Sequence, residues 1–248
     1  MLILLAFFFL AGATAAQSAT DASVAPRLVV FQRVPLSRAA NGIDGELQLM
    51  QDSRLTSSLF RQKVWGFGDL ATEDAEVHES VLKDGPFQKA YVRIVSSDGR
   101  ALESEPLERP LARLEGVHLY SDNKNTYLVT VDYSAGWGSY SGPATLLAEV
   151  KSGRIHWLEA TDGRTGKSAR ISLAATIKSV WKIVPVADGS GKDILEALCR
   201  PSFEVYDETF KLIYIRYHFD GKRWVLLERE QKGYSDFMEG FPARSLFP

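Results

Sequence analysis

The chain has 248 residues, 45% of them hydrophobic and 24% charged, which is ordinary globular usage and predicts a packed core. Lys and Arg number 29 against 31 Asp and Glu, so no basic excess is present to neutralise nucleic-acid phosphates, and nucleic acid is not an expected partner. Cys199 is the single cysteine, which excludes an internal disulfide and reads as a small buried hydrophobe.

Residues 1–16, MLILLAFFFLAGATAA, run from an apolar stretch into small residues with an A-x-A pattern at Ala13 to Ala15. That is the layout of a secretory signal peptide cleaved near Ala15 or Ala16. The stretch is about twelve residues, too short for a membrane span of roughly twenty. Leu10-Ala11-Gly12-Ala13 has the form of a lipoprotein signal with Ala where the acylated Cys would stand, so no lipid anchor is expected. Asn41, Asn123 and Asn125 all lack a Ser or Thr two residues on. With no disulfide and no glycosylation sequon, the reading is an exported bacterial protein, periplasmic or extracellular.

Residues 17–26, QSATDASVAP, read as a flexible leader, and 27–248 as one β-rich domain with no linker inside it. In chain order, strands are expected at 27–34 and 58–66, then a hairpin over 91–104 turning at Asp98-Gly99. Strands at 113–120 and 126–133 follow, the second alternating Tyr127, Val129, Val131 and Tyr133 on one face. SAGWGSYSGPAT, residues 134–145, reads as a mobile corner leading into a hairpin over 144–160 that turns at Ser152-Gly153 and places His156 across from Glu149.

ISLAATIKSVWKIV, residues 171–184, spaces Leu173, Ile177, Val180, Trp181 and Val184 as a helix, with Pro185 to stop it. DILEALC, residues 193–199, fits either a short helix or a buried strand. FKLIYIRYHFDGKRWVLLERE, residues 210–230, is the clearest hairpin. A two-residue Asp220-Gly221 turn sets Phe219 opposite Lys222 and Tyr217 opposite Trp224. Ile213, Ile215, Tyr217, Phe219, Trp224 and Leu226 then share a core face, and Arg216, His218, Arg223, Val225 and Arg229 the other. The expected fold is mainly β: antiparallel hairpins forming a sandwich or propeller-like set of sheets, with one or two short helices.

No chemical motif passes its context test. Gly136, Gly138 and Gly142 miss the dinucleotide fingerprint by one position and are followed by a strand, and G-S-Y-S-G puts Tyr140 where a nucleophilic serine belongs. Ser80, Lys83, Ser121-Asp122-Asn123 and Arg164-Thr165-Gly166 follow the order of serine β-lactamase motifs, but on turns rather than on a buried helix. DGSGKD, residues 188–193, lacks the residues of a P-loop or calcium loop. The four histidines have no metal-ligand spacing, so neither metal nor cofactor is expected.

The function expected from this pattern is a non-enzymatic binding or interaction module for an unknown protein or small-molecule partner. The alternative is a hydrolase whose site assembles from distant residues. Candidate contact residues are the loop aromatics Trp137 and Tyr140 and the charged face of the last hairpin, Arg216, His218 and Arg223.

Overall fold

A computed structural model describes residues 27–55, 87–122, 124–132, 140, 142–187, 189–202, 209–237 and 240–248. The signal and leader segments, the strand expected at 58–66 and Trp137 lie outside the described residues.

The described chain is mainly β, arranged as three sheets. The first holds β1 (Leu28–Leu36), β2 (Gly45–Asp52), β3 (Tyr91–Ser96) and β4 (Ala101–Pro106) in that order, with the four-residue helix α1 (Arg38–Asn41) between β1 and β2. The second holds β5 (Ala112–Val117), β6 (Thr126–Asp132) and β7 (Pro143–Lys151), with β8 (Arg154–Trp157) and β11 (Ser172–Ala174) both paired to the far edge of β7. The third runs β10 (Ser168–Arg170), β9 (Glu159–Asp162), β15 (Trp224–Lys232), β14 (Thr209–Phe219), β13 (Lys192–Ser202) and β12 (Ser179–Pro185). Pairings are antiparallel except that of β15 with β9.

The second sheet is the middle layer, which is why β6 and β7 are buried on both faces. Tyr127, Val129 and Val131 point into one core with Leu47, Leu49, Val92 and Ile94 of the first sheet. Leu128 and Leu147 point the other way, into a second core with Ile194, Leu198, Ile213, Ile215, Tyr217 and Trp224 of the third sheet. On the outer face of the third sheet, Leu195, Ala197, Cys199, Leu212 and Tyr214 are covered by Phe237 and Phe247. The Cys199 thiol is indeed buried. The edge strand β5 is tied to β2 and β1 of the first sheet by side chains: the Ala112 and Leu114 amides donate to the Gln51 and Gln32 side-chain oxygens at 3.2 and 2.8 Å. That uses up main-chain donors an open edge would otherwise expose.

The hairpin at Ser152-Gly153 forms as expected. Both residues have positive φ, 51° and 79°, as a two-residue turn of this kind requires, and Glu149 pairs with His156. The last hairpin differs in detail. Phe219 pairs with Trp224 and Tyr217 with Leu226, so four residues, 220–223, make the loop. The Asp220 carboxylate accepts the amides of Lys222 and Arg223, both at 2.9 Å, and so takes them out of the ladder. The pairing slips by two residues, strand parity survives, and all six expected core residues do face the second core.

The helix expected over 171–184 is absent. Its residues form β11 in one sheet and β12 in another, joined by a tight turn in which Thr176 and Ser179 exchange backbone hydrogen bonds. Residues 193–199 belong to β13, the buried strand of the two readings. Among the described residues the helical elements are α1, capped by the Ser37 hydroxyl, and a 3-10 turn at Arg244–Leu246.

Candidate functional site

The expected basic strip does not form one surface. Arg216 and His218 stand two residues apart on β14 and both turn to Asp193, which is fully buried at the start of β13. Its carboxylate meets Arg216 Nε at 2.7 Å, His218 Nδ1 at 2.8 Å and Arg244 Nη2 at 3.9 Å. Arg216 also donates to the Pro248 carbonyl, and Arg229 to those of Ser245 and Leu246. These arginines hold residues 244–248 against the sheet, where the Phe247 ring meets Tyr214 edge-on at 5.3 Å. Arg223 lies apart in the loop, with its side chain 65% exposed beside Asp220. Of DGSGKD, Gly189 and Ser190 form a bend, and Asp193, inside β13, anchors an ion cluster whose carboxylate is buried.

Tyr140 is placed differently. It is 53% exposed at the end of the β6–β7 connection, and Tyr234, 60% exposed, follows β15. Burial first, then Cys199 and Tyr234, push the Tyr140 hydroxyl above its ordinary pKa. Gly142 lets the chain pass close to the turn after β11, because a Cβ there would stand 2.3 Å from the Ala175 carbonyl oxygen. Between the β11 and β12 strands, Lys178 is itself buried. Its ammonium sits 3.5 Å from the centre of the Tyr234 ring and donates to the Ser235 carbonyl. Phe210 meets the other side of Tyr234 at 5.0 Å. A cleft of about 410 Å³ opens beside Tyr234, floored by Leu212 and Phe237. The result is two exposed tyrosines, one of them braced by a cation and a phenylalanine beside a shallow cleft of mixed polarity.

A second cleft, about 480 Å³, separates β4 from the edge formed by β8 and β11. Trp157 forms one wall with the Arg170 guanidinium stacked 5.0 Å over its ring, and Glu105 and Glu108 stand on the other side. Ser172 also lines this cleft, and among the described residues no His does. Among the described residues no group of three His, Cys, Asp or Glu is placed to hold a metal, and no helix is long and apolar enough to cross a membrane.

The most perturbed carboxyl is Glu196, which sequence reasoning passed over. It is 3% exposed in the core between the second and third sheets, accepting from the Ala174 amide at 3.1 Å and the Tyr217 hydroxyl at 3.0 Å. Burial raises its pKa to about 7 against those hydrogen bonds, and it also pushes the Tyr217 hydroxyl up. A raised carboxyl can serve as a general acid, but Glu196 lines none of the clefts above, so its consequence is for stability. The unfolded chain ionises this group near 4.5, whereas the folded chain keeps it protonated to about 7. Stability from this group is therefore complete below pH 4.5 and is lost as pH rises to 7, by about 3 kcal/mol at most. Glu196→Gln should flatten that part of a urea-denaturation pH profile and raise the midpoint at pH 8. An unchanged slope would show that Glu196 ionises freely in the folded state.

The remaining motif fragments are turns. Ser121 and Asp122 form a bend, with Asp122 paired to Lys124 at 2.7 Å, and Arg164 to Gly166 turn between β9 and β10. Ser80 and Lys83 lie outside the described residues. No protein-family model, curated protein or solved structure matches the chain.

Proposed function

We propose that the protein is an exported, non-enzymatic binding module whose contact surface is built around Tyr140 and Tyr234. The observation that carries this reading is that Tyr234, more than half exposed, is braced by Lys178 and Phe210, while Tyr140, likewise exposed, lies near enough to Tyr234 for its charge to be felt. Tyrosine offers a large apolar face and a hydroxyl at little conformational cost, which suits it to recognition. Bracing lowers the entropy lost when a partner arrives. Export rests on the N-terminal apolar run and its A-x-A pattern.

Both parts are tested on protein expressed with its N-terminal segment in a bacterium. The product recovered from the periplasm should begin near Ala16 or Gln17 by mass spectrometry. Used as bait in periplasmic extract, the native chain should retain a partner that the Tyr140→Ala/Tyr234→Ala double variant loses at least tenfold, roughly the effect of one central aromatic contact. An intact Met1 on the soluble product overturns export, and equal capture by the double variant overturns the contact surface.

A further inference from the structure

We propose that a pocket where α1, the segment entering β6 and the β7–β8 turn meet, rimmed by the ammonium groups of Lys124 and Lys151, binds a small oxyanion, a phosphate or a carboxylate. The pocket holds about 250 Å³ and is separate from the tyrosine surface. Its frame is fixed by the backbone: the Ser152 amide donates to the Asn41 carbonyl at 3.0 Å, and the Asn41 side chain donates to the Val150 carbonyl at 3.4 Å. Asn41 and Glu149, both on the wall, are 2% and 4% exposed.

The choice of an anion follows from counting donors against acceptors. Two ammonium groups, Lys124 and Lys151, line the pocket beside the Glu149 carboxylate; with Asp122 on Lys124 the charges balance, so the hydrogen-bonding groups choose the ligand. Glu149 has little left to offer a ligand, since Oε1 accepts from the Tyr120 hydroxyl and Oε2 from Lys151. The Asn41 side-chain oxygen already accepts the Ser37 amide at 3.2 Å. Each lysine has one carboxylate partner, Asp122 for Lys124 and Glu149 for Lys151, and three N–H groups with which to donate. The Asn125 amide and the Ser152 hydroxyl add further donors. Free donors outnumber free acceptors, which suits a ligand that only accepts. A cation or a polyol would find too few oxygens.

Behind this wall the Tyr127 hydroxyl is fully buried and makes no hydrogen bond of normal geometry, although the Asn41 and Asn125 side chains lie close enough to act on it. Burial raises its pKa and both amides, acting on it as donors, lower it, so this hydroxyl backs the pocket wall rather than supplying a donor to it.

Isothermal titration calorimetry on residues 17–248, at constant ionic strength, tests the site with inorganic phosphate in one series and acetate in another. Saturable one-site binding of either is expected, weakened at least tenfold in Lys124→Gln/Lys151→Gln and unchanged in Lys222→Gln on the distant hairpin loop. Both pocket lysines are more than half exposed, so the double variant should keep the native thermal midpoint. Phosphate binding alone makes the ligand tetrahedral, and acetate binding alone makes it a carboxylate. No saturable heat with either anion, or equal weakening by Lys222→Gln, overturns the site.

Discussion

Trp224→Ala should leave the protein largely unfolded in mild urea. The indole is 3% exposed at the start of β15, packed between Phe219 at 5.7 Å and Tyr120 at 5.8 Å, in the core shared by the second and third sheets. Removing such an aromatic costs ~3–5 kcal/mol out of a typical total of ~5–15 kcal/mol. The loss also cuts a hydrogen-bonded chain between the sheets, in which Trp224 Nε1 donates to the Tyr120 oxygen at 2.9 Å and Tyr120 donates to Glu149. Trp224→Phe keeps a ring in place and should cost less, with about 1 kcal/mol of its effect coming from the lost N–H. Arg223→Ala, one residue earlier and exposed, should stay within about ±0.5 kcal/mol. Urea midpoints of the three variants decide the matter, and a more damaging Arg223→Ala would invert the face assignment.

Asp193→Ala should be the most damaging change to a charged residue. It leaves Arg216 and His218 facing inward without their shared carboxylate. Breaking a buried pair costs ~3–5 kcal/mol, and the partners here are about one-third exposed or less, so the lower end, about 3 kcal/mol, is expected. Much of that cost is the stranded arginine. Adding Arg216→Ala should therefore recover part of it, with a coupling of about 1–3 kcal/mol in a double-mutant cycle. Strict additivity would mean that the two groups do not depend on each other.

The faces of the strands were readable from the sequence because a strand repeats every two residues. Tyr127, Val129 and Val131 share a core, and so do the six residues of the last hairpin, even though its loop is two residues longer than Asp-Gly suggests. The extra length comes from a side chain, Asp220 capturing two amides, which a turn dipeptide does not reveal. Residues 171–184 misled for a related reason. Leu173 belongs to one strand and Val180 to Val184 to another, and the turn between them resets the parity, so two strand patterns imitate one helical pattern. The site was less legible. Tyr140 stood out as a loop aromatic, but Tyr234 and Lys178 gain meaning only when the ends of β15 and β11 come together. Asp193 and Glu196 looked like turn and strand residues. A carboxyl between Leu195 and Ala197 becomes a signal once β13 is known to bury both of its faces.

The tyrosine surface is tested most directly by site-specific photo-crosslinking in living cells. A benzophenone amino acid placed at Tyr140, at Tyr234 and, for comparison, at Arg223 should yield discrete adducts of one mass from the two tyrosine positions and none from position 223. Adducts from position 223 alone, or none from either tyrosine position in the folded, exported protein, would contradict the account.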